Sequence, residues 1–247
     1  VPRQPRKPSS TNIYHVMNHG VGTIAIFGDD ADRRYFIKLL KEHLQAHAGK
    51  AHAWCLMTNH FHLLVEMPLS DLAEFMRDLT SEYAARFNQK NQRKGHLFMQ
   101  RFKSEPVENE AYFITVIRYI HQNPVKAFMC PPCDYPWSSY REYLGKSHFQ
   151  IVETEPALAA YGGLECFIEH HSQVAFRDKC MEMMLEIDDA TALDYARRII
   201  GEQEMSELDQ MNRASRKRNL RTLKNCMLPG KQIARITGIS YDTVMRA

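Results

Sequence analysis

The sequence predicts an α+β fold, in which a split β-α-β antiparallel sheet with helices on one face is followed by an all-α domain. Strand-like and helix-like stretches alternate up to about residue 145, in the order strand, helix, hairpin, helix, strand, helix. Beyond that point only helical patterns occur. Apolar residues make up 44% of the 247 residues, which is typical of a globular protein with a sizeable core.

The elements of the first domain follow from the spacing of apolar residues. Strands alternate with a period of two, whereas helices repeat apolar residues three or four positions apart. The last helix should end at Pro124, which removes a backbone donor and disfavours helix at the preceding residue. The expected strands are 13–17, 53–57, 61–67 and 102–107, and the expected helices are 32–47, 70–88 and 110–123.

The hairpin at 53–67 contains the first residues that could bind a metal ion. Its two apolar runs flank Thr58 and Asn59, a pair that suits a tight turn. Alternation places His60 and His62 on one face of the second strand, with Leu64 and Glu66, and directs Phe61, Leu63 and Val65 into a core. Two imidazoles so placed can hold a metal ion if a third ligand is present. The alternative is a buried strand with two hydrogen-bonded histidines.

Composition limits the cellular context. The six cysteines are scattered, and the pair at 130 and 133 has no second Cys or His pair to complete a zinc site. A reducing cytoplasm is therefore expected. No apolar run approaches the span of a bilayer and no signal-peptide pattern is present, so we expect no membrane partner.

Positive charge is concentrated in two blocks. Residues 86–103 carry six basic residues and no acid, and residues 213–247 carry nine basic residues and one acid. Such blocks favour an anionic polymer as partner. In the first block aromatic rings could also stack bases, although they could equally anchor a loop to the core. The candidate DNA contacts there are Arg86, Lys90, Arg93, Lys94, Phe98, Arg101 and Lys103.

Tyr119 and Asn123 lie four residues apart on a predicted helix and so share a face. Together with His60 and His62, the side-chain oxygen of Asn123 could complete the coordination sphere of a hard cation such as Mg²⁺ or Mn²⁺. Tyr119 could then attack a phosphodiester and form a covalent phosphotyrosine. The alternative is a core-edge Tyr followed by an Asn that caps the helix. This hypothesis depends on a phenol that lies outside the apolar core.

Five segments in order resemble the single-tyrosine HUH transposases, most of all the REP-associated tyrosine transposases: YHVMNHG (14–20), MTNHFHLLV (57–65), GHLF (95–98), QRFKS (100–104) and RYIHQNPVKA (118–127). The resemblance implies a ferredoxin- or RRM-like core. It also implies a divalent metal at His60 and His62, Asn123 as a polar third ligand, and Tyr119 as the nucleophile that joins to a DNA 5′ phosphate. Two positions depart from the family pattern: His19 stands where Arg is usual, and Thr58 where Pro is common.

The chain is expected to divide into three parts. Residues 1–10 form a disordered basic arm, 11–147 the catalytic domain, and 148–247 a helical domain. Its last part, about 212–247, resembles a helix-turn-helix, with Gly238 at the turn and Ser240 as the cap of the second helix. An ordinary helical hairpin is the alternative. The expected DNA contacts are Arg216, Lys217, Arg218, Arg221, Lys231, Tyr241 and Thr243.

These observations lead to one main functional hypothesis and two alternatives. The main one is a metal-dependent endonuclease and strand transferase that acts on single-stranded or hairpin DNA. The alternatives are a DNA-binding regulator that does not cut, and a metal-dependent phosphodiesterase that uses water. We expect a monomer or homodimer, in a cytoplasm and associated with the nucleoid.

Overall fold

The computed structural model describes residues 5–22, 24–127, 129–173, 180, 188–225 and 228–247. The chain divides into two compact units. The first contains the described residues up to Val125 and those from Met129 to Cys180, and the second contains Lys126, Ala127 and the described residues from 188 onward. No helix among the described residues is long and apolar enough to span a bilayer.

The first unit is built on a four-stranded antiparallel sheet in the order β2-β3-β1-β4. The turn between β2 and β3 lies at Thr58-Asn59 as expected, closed by a hydrogen bond from Met57 N to His60 O of 2.9 Å. The predicted α+β class is confirmed. The strands are β1 (Ile13–His19), β2 (Lys50–Leu56), β3 (His60–Glu66) and β4 (Lys103–Pro106).

One face of the sheet is covered by α1 (Asp30–Ala46) and α2 (Leu69–Lys90). Phe61, Leu63 and Val65 are completely buried there, as the alternation predicts. The ring of Phe36 from α1 packs 4.8 Å from that of Phe61. This face therefore carries the main apolar core of the unit.

The other face is covered by α3 (Glu110–His121), which packs on β2 and β3. The expectation that all helices lie on one face is therefore wrong. Because Phe61, Leu63 and Val65 already occupy the α1–α2 face, the alternating histidines of β3 point to α3. The helix ends at His121, and Pro124 falls in the first turn of a short α4 (Asn123–Lys126), where its missing N–H costs nothing.

The first unit extends beyond the expected boundary at residue 147. It includes α5 (Tyr140–Tyr143), α6 (Thr154–Tyr161) and α7 (Leu164–Ser172). These helices pack on the outer side of α3, where Tyr161 OH donates to Ile114 O at 2.8 Å and His121 Nδ1 lies 3.0 Å from His171 Nε2. A boundary drawn from a change in composition missed these contacts, which join segments about 50 residues apart.

The start of the chain is also more ordered than expected. Ser9 N donates to Tyr14 OH at 2.8 Å, and Thr11 Oγ1 donates to Val107 O at 2.6 Å. The prediction of a disordered arm is therefore wrong at Arg6, Ser9 and Ser10. Arg6 stacks on the Phe102 ring, and the amide groups of Ser9 and Ser10 donate to Tyr14 and Glu108. Residues 1–4 lie outside the described part.

The second unit is entirely helical. Its helices bury a core of apolar side chains that includes Ile233, Ile239 and Val244. Gly238, at a φ of 72°, joins the last two helices, and the side chain of Ser240 accepts from Thr243 N at the start of the second. The helices are α8 (Asp189–Ile200), α9 (Glu202–Glu207), α10 (Arg213–Asn225), α11 (Gly230–Thr237) and α12 (Tyr241–Arg246).

Candidate active site

The candidate site lies between β3 and α3. His60 and His62 are both buried on the same face of the sheet, with ring centroids 5.1 Å apart. Glu66 shares that face, but its carboxylate lies 2.9 Å from His52 Nε2. Glu66 is therefore a hydrogen-bonded acid at the end of the strand and not part of the histidine site.

The Nδ1 atom of each histidine has a defined partner. His60 Nδ1 lies 2.7 Å from Asn59 Oδ1. Since an amide oxygen only accepts, Nδ1 carries the proton and the lone pair of His60 is on Nε2. That Nε2 is buried and has no well-formed hydrogen bond within the described chain. His62 Nδ1 lies 3.0 Å from His15 Nε2 on the neighbouring strand β1.

The imidazoles of His15 and His60 are neutral near pH 7. Burial lowers the pKa of His15 to about 3. Burial also lowers the pKa of His60 to about 4, against an opposing contribution from Asn123. A neutral imidazole keeps a lone pair, which is what metal ligation requires.

Tyr119, on the last turn of α3, packs edge-on against two of these imidazoles. Its ring centroid lies 5.6 Å from that of His62 and 5.8 Å from that of His15. Only 2% of the residue is exposed. The phenol is therefore not exposed in this conformation, but it lies among polar imidazoles and outside the apolar core beneath α1 and α2.

Asn123 lies beside the histidine pair, just beyond the end of α3. Its Nδ2 donates to Tyr119 O at 2.9 Å, which leaves the amide oxygen for other partners. The interaction of Asn123 with His60 places the two side chains together. Within the described residues, no three His, Cys, Asp or Glu side chains form a metal-binding group. A cation here would thus need the Asn123 oxygen with the two imidazoles, and hard cations accept that donor set.

Residues 9–123, which include β1 to β4 and Tyr119, match the family described as "Transposase IS200 like". This part of the chain is therefore similar to IS200-like transposases, and residues 9–123 are called the transposase domain. The resemblance to single-tyrosine transposases, predicted from the ordered motifs, is confirmed by this match.

A solved structure supports the fold of this transposase domain. The chain is similar to the REP-associated tyrosine transposase bound to a REP hairpin, with 15% sequence identity and a TM-score of 0.50. The similarity covers 62% of this chain and 98% of that chain. No curated protein matches this chain in sequence.

Two residues of the first basic block of the transposase domain form contacts within the protein that the local sequence does not predict. Lys90 Nζ lies 2.7 Å from Asp29 and 2.6 Å from Asp32. Lys90 is thus already paired, contrary to its expected role as a DNA contact, because α1 supplies the acids that the local sequence lacks. Arg86 lies over the Tyr35 ring, 4.2 Å from its centroid.

The aromatic loop of the transposase domain is mainly an anchor. The ring of Phe98 packs 6.1 Å from that of Phe61 and is half-buried against the core. Of its two predicted roles, the structural one is therefore realised in this conformation. The other predicted contacts in this block remain accessible: Arg93 is half-buried, and Lys94, Arg101 and Lys103 are exposed.

The predicted contacts of the helical unit lie on α10, α11 and α12. Arg216 donates to the carbonyl of Met211 at 3.1 Å, and Arg221 to that of Ala247 at 3.1 Å, so both guanidinium groups are partly engaged within the unit. Arg216, Lys217 and Thr243 line a common groove. The other predicted DNA contacts of this unit are exposed: Arg218, Lys231 and Tyr241.

The sequence interpretation missed His15. In the register of β1 with β3, His15 is opposite Leu64 and Met17 is opposite His62. Alternation therefore places His15 on the histidine face. The pairing of these two strands, which are more than 40 residues apart, is the observation that reveals it.

Proposed function

We propose that the protein is a metal-dependent single-strand DNA endonuclease and strand transferase that acts at hairpin DNA through a covalent 5′-phosphotyrosine. The observation that carries this proposal is the convergence of His60, Tyr119 and Asn123 with His62 in one buried cluster of an IS200-like transposase domain. A hairpin substrate is supported by the REP hairpin bound to the similar solved structure.

In the proposed reaction Tyr119 is the nucleophile. A bond forms between its phenolic oxygen and phosphorus, and the bond from phosphorus to O3′ breaks. The phenol proton passes to solvent, and the departing oxygen takes up a proton to give a free 3′ hydroxyl. The energy of the phosphodiester is retained in the phosphotyrosine, which a later 3′ hydroxyl can attack to rejoin the strand.

The residues of the cluster have separate tasks. His60, His62 and Asn123 would hold a divalent ion such as Mg²⁺ or Mn²⁺, which when bound acts as a Lewis acid on a phosphoryl oxygen. His15 fixes the orientation of the His62 ring through its 3.0 Å contact with Nδ1. Because Tyr119 is buried, the last turn of α3 must shift before the phenol can reach a phosphate.

The helical unit would add affinity for DNA. Two features of α11 and α12 support a helix-turn-helix role, namely the turn at Gly238 and the capped start of α12 at Ser240. The exposed Tyr241 and the basic groove beside Thr243 would contact the backbone. These contacts position a duplex and leave the chemistry to the transposase domain.

The test is to incubate the protein with labelled hairpin-bearing single strands and Mn²⁺ and to look for a denaturant-resistant protein–DNA adduct. Tyr119→Phe should abolish the adduct and retain binding. The matched control is Tyr112→Phe on the same helix, whose hydroxyl donates to Glu105 at 2.6 Å, and this variant should still form the adduct. Cleavage without an adduct would favour a water-dependent phosphodiesterase, and binding without cleavage a regulator.

A further inference from the structure

The edge strand β4 carries positive charge onto the face of the candidate site. In the register of the sheet, Lys103 is opposite Met17, and Met17 is opposite His62. Residues directly opposite one another in antiparallel strands share a face. Lys103 and His62 are therefore in the same row of the same face, two strand spacings or about 10 Å apart.

The ordered arm at 5–7 extends this charge around the sheet edge. A groove lies between these residues and 102–106. The guanidinium of Arg6 stacks on the Phe102 ring, 3.9 Å from its centroid. Partial burial and the positive charge of Arg101 lower the pKa of Arg6, which indicates that the two guanidinium groups are close. Lys7, Arg101 and Lys103 are exposed.

The neighbouring acids form no ion pair with these cations in the described structure. Glu105 accepts a hydrogen bond from Tyr112 OH at 2.6 Å, and Glu108 accepts from Ser10 N at 3.1 Å. Both carboxylates thus have neutral partners. With Glu105 as the one carboxylate of the described residues that lines this groove, the four cations leave an excess of positive charge, which favours a bound anion.

We propose that Arg6 and Lys7, together with Arg101 and Lys103, form a phosphate-binding strip for the unpaired DNA strand next to the scissile phosphate. This inference rests on the proposed function, which places the scissile phosphate at His60 and His62. A distance of about 10 Å corresponds to about three nucleotides of stacked strand. A flexible single strand can follow the strip around the edge of the sheet, whereas a rigid duplex cannot follow that turn.

The test compares two double variants that each remove one Arg and one Lys. The first is Arg6→Ala with Lys7→Ala. The matched control is Arg34→Ala with Lys41→Ala, two exposed residues of α1 on the opposite side of the sheet without an ion pair in the described structure. Fluorescence anisotropy would measure binding to a hairpin with a single-stranded extension, and to the same hairpin without it, at several salt concentrations.

The arm variant should bind the extended hairpin about tenfold more weakly, and the slope of log K against log salt should fall by about 1.4, since each lost single-strand phosphate contact contributes about 0.7. Binding to the hairpin without the extension should not change, and the control should behave as the unmodified protein. Equal losses in both variants, or an unchanged slope for the arm variant, would overturn the strip. If the arm variant binds normally while Tyr119→Phe still abolishes the adduct, the strip is wrong and the proposed function stands.

Discussion

The two faces of the sheet in the transposase domain differ in what they bury. Beneath α1 and α2 the sheet presents Phe61, Leu63 and Val65, which pack with other apolar side chains. Beneath α3 the same strand presents His60 and His62, which pack with the His15 imidazole and the Tyr119 phenol. Both faces are closed to solvent, but only the first gains the free energy of burying apolar surface.

The difference indicates that the apolar face stabilises the domain and the histidine face serves its chemistry. Burying neutral imidazoles costs free energy unless their nitrogens are hydrogen-bonded, and His60 Nε2 and His15 Nδ1 are buried without such a bond in the described structure. The apolar face must offset that cost. Variants on the apolar face should therefore change stability, whereas variants on the histidine face should change metal and DNA chemistry.

The largest expected effect is on the apolar face. Phe36, completely buried, packs against the rings of Phe27, Phe61 and Tyr83. Phe36→Ala should lower the free energy of unfolding by about 3–5 kcal/mol, because it removes buried area and leaves a cavity. Denaturant unfolding followed by circular dichroism measures this. A loss below 1 kcal/mol would contradict the view that this face holds the domain together.

A smaller effect is expected from His15 on the other face. His15→Phe keeps a ring in the same space but removes the contact to His62 Nδ1, so the affinity for Mn²⁺ should fall about 10- to 100-fold. Titration followed by electron paramagnetic resonance measures this directly. The control is His52→Phe, which removes a buried histidine whose partner is Glu66. If both variants bind Mn²⁺ equally well, His15 has no role in positioning His62.

The smallest expected effect is on the pH dependence of stability, and it involves His171 in the helices that pack outside α3. His171 Nδ1 donates to Phe167 O at 2.8 Å, and therefore His171 Nε2 accepts from His121 Nδ1. Burial lowers the pKa of His171 to about 3 from 6.5. The unfolded chain thus takes up the proton first as pH falls, so stability is full above pH 6.5 and decreases between 6.5 and 3.

His171→Gln keeps an acceptor for His121 but cannot titrate. Relative to this variant, the unmodified protein should lose about 1.4 kcal/mol of stability between pH 7.5 and about pH 5.5, one unit below the ordinary pKa. Urea unfolding at the two pH values measures the difference. The same pH dependence in both proteins would show that His171 is not a source of acid sensitivity.

Much of the fold could be predicted because periodicity is a local property. The strand at 61–67 and the helix that carries Tyr119 follow from spacings of two and of three to four residues. The side of the sheet covered by α3 was mispredicted, because it depends on which face the other helices occupy. The pairing of Lys90 with Asp29 and Asp32 was missed for a similar reason, since the acids come from another helix.

The sequence by itself determined that His60 and His62 share a face and that Asn123 lies close to Tyr119, since the strand period is two and a spacing of four keeps residues near a helix end together. Only the tertiary structure decided that β1 lies between β3 and β4, which brings His15 to His62 and places Lys103 in the same row. It also decided that Tyr119 is buried against the imidazoles. These features depend on packing between segments that are far apart in the chain, and no local spacing encodes them.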